Sequence, residues 1–150
     1  MTSLLYFEDF PVGQVRDCGS RTIALPEILA FARDFDPQPF HVDAQAAAKS
    51  PFGGIIASGW HTASIAMRMQ VDAMLSHTHS LGSPGIDELR WKKPVRPGDT
   101  LSLKLEVLEA RPSKSKPGQG SILTSLTLSN QHGEVVLTMK GWGMLRRRPT

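Results

Sequence analysis

The chain has 150 residues, 40% of them hydrophobic and 21% charged, and a net charge of +3. That length suits one domain over 1–150 with a core of its own, and the composition excludes a largely disordered chain. A lone cysteine, Cys18, excludes an intrachain disulfide and a cysteine-rich metal site, and it fits a reducing, cytoplasmic compartment.

The first residues, Met1 to Asp9, combine neither a basic start nor a sustained apolar run, so no secretory leader is expected. Phe10-Pro11-Val12-Gly13-Gln14-Val15 reads as a turn entering a short strand, and Arg21 to Leu25 as further extended chain. Pro26-Glu27 opens a helix, because proline suits the first turn and glutamate there complements the helix dipole. Pro37 and Pro39 each disfavour helical geometry in the residue before them. The helix is therefore expected to stop near Asp34, leaving Asp36 to His41 as a stiffened loop. Asp43 to Lys49 reads as a short helix ended by Ser50-Pro51 and Gly53-Gly54.

Ser58 to about Leu75 is the strongest helical pattern, with Ser58 as N-cap. Only His61, Ser64, Arg68 and Asp72 interrupt its apolar circumference, which predicts a buried helix too polar to cross a membrane. Beyond Gly82 the chain reads as strands. Ile86 to Val95, Leu101 to Val107, Ile122 to Leu128 and Val135 to Leu145 are separated by Pro-Gly and His-Gly turns. The expected architecture is α+β, an antiparallel meander curled around one long helix.

Two features carry chemistry. Asp36 and His41, five positions apart on a proline-stiffened segment, are residue types that serve as general acid and base. Spacing alone is better met by a turn-capping aspartate and a packed or solvated histidine. Gly59, at the start of the long helix, sits where unpaired N–H groups and the dipole favour an anion, and it lets a ligand approach the backbone. A packing glycine behind a serine cap would look the same.

Other positions read more plainly. His61 is a structural histidine close enough to Gly59 to support it. His77 and His79 form a loop pair without further metal ligands. Trp60, Met67, Met69 and Met74 are core or pocket lining. Arg90, Lys92, Lys93 and Arg96 are solvated cations that could meet phosphate, and Arg146-Arg147-Arg148 is a solubilising tail. Basic residues are not interleaved with aromatics on one element, so nucleic acid is not an expected partner, nor is a membrane. Ser58 lacks the Gly-x-Ser-x-Gly setting of a hydrolase nucleophile.

Taken together, three segments resemble the MaoC-like hydratase family. Phe31 to Asp43, with Asp36-Pro37-Gln38-Pro39-Phe40-His41-Val42-Asp43, is similar to Gly-Asp-x-Asn-Pro-Leu/Ile-His-x-Asp. Phe52-Gly53-Gly54-Ile55-Ile56-Ala57-Ser58-Gly59-Trp60 resembles Phe-Gly-x-x-Ile-Ala-His-Gly-Met. Trp91-Lys92-Lys93-Pro94-Val95-Arg96-Pro97-Gly98-Asp99-Thr100-Leu101 resembles Phe-x-x-Pro-Val-x-x-Gly-Asp-Thr-Leu.

The resemblance implies a hot-dog fold, a homodimer or higher homo-oligomer, and an acyl-CoA or acyl-carrier-protein thioester bound along the central helix. It implies hydration of a trans-2-enoyl thioester to an (R)-3-hydroxyacyl product without metal or redox cofactor. Asp36 would activate water, His41 would share that task and handle the second proton, and the Gly59 N–H would hold the thioester oxygen. Partial burial is expected to push Asp36 and His41 toward their neutral forms. Phe35, Gln38, Phe40, Ser58 and Trp60 are the expected substrate-binding positions. Phe35, Gln38 and Ser58 depart from the family's usual Gly, Asn and His, which keeps open a hot-dog thioesterase or a non-catalytic acyl-thioester-binding subunit.

Overall fold

The computed structural model describes residues 3–150. Its regular elements are β1 (Val15–Thr22), α1 (Leu25–Phe35), α2 (Pro39–Val42), α3 (Ala44–Lys49), α4 (Gly59–Ala73), β2 (Gly85–Trp91), β3 (Thr100–Pro112), β4 (Gln119–Ser129) and β5 (Val135–Arg146). Period-two alternation makes the sheet. Leu101, Leu103, Leu105 and Val107 of β3 are buried, and Ser102, Lys104 and Glu106 between them are exposed. On β4, Ile122, Leu126 and Leu128 repeat the pattern. These side chains meet Ile65, Ala66 and Met69 of α4, around which the sheet curls in the expected hot-dog arrangement.

The five strands run in the order β1-β3-β4-β5-β2, every neighbouring pair antiparallel. Only β3-β4-β5 is a meander. The expectation of a simple meander fails at β2, which lies at the far edge beside β5, because turn signals mark where strands end but not which strands pair. The bulge in β1 between Asp17 and Ser20 is set by Gly19, at φ 81°.

Strand β2 stops at Trp91, four residues before the expected Val95. Past it, Lys92 N–H donates to the Val136 carbonyl at 2.8 Å, and the Val95 carbonyl then accepts from Ala57 N–H at 2.8 Å. Pro94 has no N–H to continue a ladder. Residues 92–95 are thereby carried off the sheet toward the start of α4.

Three other expectations change. Helix α1 runs to Phe35, and the supposed loop contains α2, whose first residue is Pro39, so His41 sits on a helical turn. The outer face of α4 holds three members of its polar stripe, Ser64, Arg68 and Asp72, together with Trp60 and Met67, whereas the fourth, His61, is buried beside Thr62. Helix α1 covers the first turn of α4, where Phe31 stacks on His61 at 4.8 Å. The C-terminal arginines are not a free tail, since Arg147 pairs with Glu8 at 3.2 Å and Arg148 with Asp9 at 2.7 Å. Among the described residues no helix is long and apolar enough to cross a membrane.

Candidate active site

The site forms where three chain segments cross. The α1 helix ends at its C-cap, Asp36, and the Pro37-Gln38 bend reverses the chain into α2, which presents His41. The extended segment before α4 passes beside α2, with Ile56 N–H donating to the Phe40 carbonyl at 3.2 Å. Residues 92–95 close the third side. A cleft of about 420 Å³ opens between them, lined by Asp36, Gln38, His41, Gly59, Trp60 and Trp91 among others.

The Ile56 carbonyl accepts from His41 Nδ1 at 2.7 Å. A carbonyl can only accept, so Nδ1 carries the proton, and His41 Nε2 is left as the atom able to gain and lose one. That Nε2 lies 3.2 Å from Asp36 Oδ2. Asp36 also accepts from Gln38 Nε2 on Oδ1 and from Ser58 Oγ on Oδ2, each at 2.7 Å.

Desolvation raises the Asp36 pKa. The donors Gln38 and Ser58, and then the charge and hydrogen bond of His41, outweigh it and hold the carboxyl below the usual range. This corrects the expectation that burial would favour a neutral Asp36. The side chain is only partly covered, and three donors converge on it.

Ser58 occupies the N-cap position of α4, but its hydroxyl points to Asp36 instead of accepting from the first turn. The Gly59 and Trp60 N–H groups have no acceptor within the helix, and both residues line the cleft. A carboxylate, an imidazole whose Nε2 is paired with it and open helix-start donors thus face one cavity. Such a set can hold a water, move two protons and stabilise negative charge on a carbonyl oxygen.

Of the expected substrate-binding positions, Gln38 and Trp60 line the cleft with Gly59. Phe35 does not: its side chain is 73% exposed on the outer face of α1, packed on Phe31 at 5.1 Å. Phe40 is set behind His41, meeting it edge-on at 4.4 Å and Phe52 at 5.3 Å. Ser58 is fully buried and reaches Asp36, not the cavity. Lys92 and Lys93 line the rim, Lys93 paired with Glu134, and Arg96 instead holds the Phe52 carbonyl at 2.7 Å. Trp91 and Thr62 also line the cleft and were not anticipated; the aromatic at the head of the Trp91 to Leu101 motif was the available signal for Trp91. His77 and His79 stay remote from the cleft, with His79 stacked on Tyr6 at 4.3 Å.

The family model described as MaoC like domain matches residues 9–128. A 3-hydroxybutyryl-CoA dehydratase of Methylorubrum extorquens is 33% identical over 118 residues, covering 75% of this chain and 70% of that protein. The uncharacterised protein YdeM of Bacillus subtilis is also 33% identical over 118 residues, covering 79% of this chain and 84% of its own. The crystal structure of a MaoC-like dehydratase from Rhodospirillum rubrum superposes with a TM-score of 0.87 at 42% identity, covering 97% of this chain and 99% of that one.

Proposed function

The chain belongs to the MaoC-like dehydratase family, and on that footing we propose that it is a cytoplasmic carbon–oxygen lyase of fatty-acid metabolism. It would reversibly hydrate a trans-2-enoyl thioester, carried by CoA or acyl-carrier protein, to the (R)-3-hydroxyacyl thioester, working as a homodimer or higher homo-oligomer. The observation that carries this reading is the 3.2 Å contact of Asp36 with His41 in the cleft onto which the Gly59 and Trp60 backbone opens.

In this reading the thioester oxygen lies at the open end of α4, where the Gly59 N–H stabilises the enolate as charge develops. Asp36, ionised and paired with a protonated His41, takes a proton from the bound water as its oxygen attaches to the β-carbon. His41 Nε2 delivers its own proton to the α-carbon. The proton left on Asp36 then crosses to His41 Nε2, which restores the pair. One water is consumed and both of its hydrogens are accounted for. The low pKa of Asp36 keeps it ionised, and the Ile56 carbonyl keeps the Nδ1 proton in place so that Nε2 is the atom that exchanges one.

Crotonyl-CoA hydration, followed as loss of the enoyl absorbance with chiral analysis of the product, tests the proposal. Formation of (R)-3-hydroxybutyryl-CoA that Asp36→Asn and His41→Ala abolish is the expected result. Release of free CoA without hydration would replace it with a thioesterase. Thioester binding without turnover across chain lengths would replace it with a binding subunit.

A further inference from the structure

The Gly59 carbonyl has a partner from outside its helix. The indole Nε1–H of Trp91 donates to it at 2.7 Å, across 32 positions of sequence. The same ring is packed so tightly on Gly59 that a Cβ there would stand 2.6 Å from Trp91 Cε2 and 2.7 Å from Nε1. Trp60 meets the indole edge-on, with ring centroids 5.2 Å apart and planes at 83°. Core packing does not account for this, because Trp91 is 46% exposed and Trp60 more so.

The Gly59 carbonyl and the Trp60 N–H belong to one peptide unit, planar and trans. Fixing the oxygen on one side fixes the hydrogen on the other. At a helix start the carbonyl points along the axis into the helix and the N–H points out of its end, here toward the cleft lined by both residues. Ser58, the residue placed to cap these donors, is turned to Asp36.

We propose that Trp91 is a positioning residue for the thioester. Its indole N–H holds the Gly59–Trp60 peptide so that the Trp60 N–H joins that of Gly59 as a second donor to the thioester oxygen. This rests on the thioester reading of the cleft. It also gives glycine at position 59 a specific reason, since any side chain there displaces the indole and releases the peptide. The ring is half-exposed, so its loss disturbs the aim of the donors more than the core.

The test uses butyryl-CoA with a carbon-13 thioester carbonyl, which binds but has no double bond to hydrate, and difference infrared spectroscopy. The unaltered chain is expected to lower the carbonyl stretching frequency on binding. Trp91→Phe, which keeps a ring but removes the N–H, should cut that lowering by about half. In crotonyl-CoA hydration the same variant should lose kcat by about tenfold with KM within about twofold, a fraction of the loss when such a donor is removed outright. Gly59→Ala should give a similar loss, and adding Trp91→Ala to it should cost little more, because both act through one contact.

A stretch unmoved by binding, an equal shift in Trp91→Phe, or fully additive losses would overturn the proposal. A Trp91-dependent shift in a chain that does not hydrate crotonyl-CoA would uphold it and sink the hydratase reading. Hydration with a shift indifferent to Trp91 would do the reverse. Failure to bind butyryl-CoA would overturn both.

Discussion

Two neighbouring regions each bury a histidine, and the surroundings are opposite. His41 on α2 and His61 on the first turn of α4 are 4% and 7% exposed. Both ring nitrogens of His41 have partners, Ile56 O and Asp36 Oδ2. His61 lies flat on Phe31 at 9° between planes, and among the described residues its Nδ1 has no hydrogen-bond partner. Burial pushes the His61 pKa down, with the Glu27 carboxylate opposing and the Arg21 guanidinium reinforcing it. Equal burial of one residue type therefore leaves one ring with a partner on each nitrogen and the other stacked on an aromatic, with its charged form disfavoured. What separates them is whether the fold brings acceptors to the ring.

The largest expected effect tests the first half of that contrast. Asp36→Asn or His41→Ala should lower the kcat/KM for crotonyl-CoA by roughly 10²- to 10⁴-fold, the range for a removed acid–base group. His61→Phe should leave it within about twofold, measured in the same assay. A comparable loss from His61→Phe would erase the distinction.

Next comes Ser58→Ala, which removes one of the donors to Asp36 while leaving both histidines in place. A tenfold loss of kcat is expected. The Asp36 pKa should rise toward the ordinary carboxylate value, visible by carbon-detected NMR titration. Urea unfolding should register a loss of about 2 kcal/mol for one hydrogen bond to a charged acceptor.

Stability against pH sharpens the comparison, because both groups titrate lower in the folded chain than in the unfolded one. The unfolded chain binds the extra proton, so each contribution is full above the unfolded pKa and is lost as pH falls. For His61 the loss begins below about 6.5, and for Asp36 below about 4. His61→Phe should flatten the upper step alone and stabilise the fold by about 1 kcal/mol, since it removes an unsatisfied buried nitrogen. Asp36→Asn should flatten the lower step alone. Melting temperatures from pH 3 to 8 would read both, and one shared step would contradict the assignment.

The smallest expected effect is at Phe35, whose side chain lies outside the cleft. Phe35→Ala should change stability by no more than about 0.5 kcal/mol and leave KM for crotonyl-CoA unaltered. A raised KM would return Phe35 to the substrate.

Much of this was legible in the chain itself. The alternation of Leu101 to Val107, the long helix beginning after Ser58, and the α+β layout follow from short-range periodicity, which burial enforces residue by residue. Asp36, His41 and Gly59 stand in the motif order, and the fold brings all three to one cleft. What stayed hidden was set by contacts between distant positions. Nothing local distinguishes a serine that caps α4 from one that reaches Asp36, or a helical His61 facing water from one lying under Phe31. The edge position of β2 is hidden for the same reason, since a strand pattern carries no mark of its partner.

By itself, then, the sequence determined which segments are helix or strand and which residue types are available for chemistry. Period, proline placement and motif spacing act within a few residues. Only the tertiary structure decided what those residues do to one another. Ser58 meets Asp36 across 22 positions, His41 meets Ile56 across 15, and Trp91 meets Gly59 across 32. Such contacts form only after the sheet has curled around α4, and they set the charge of Asp36, the tautomer of His41 and the hold on the Gly59 carbonyl.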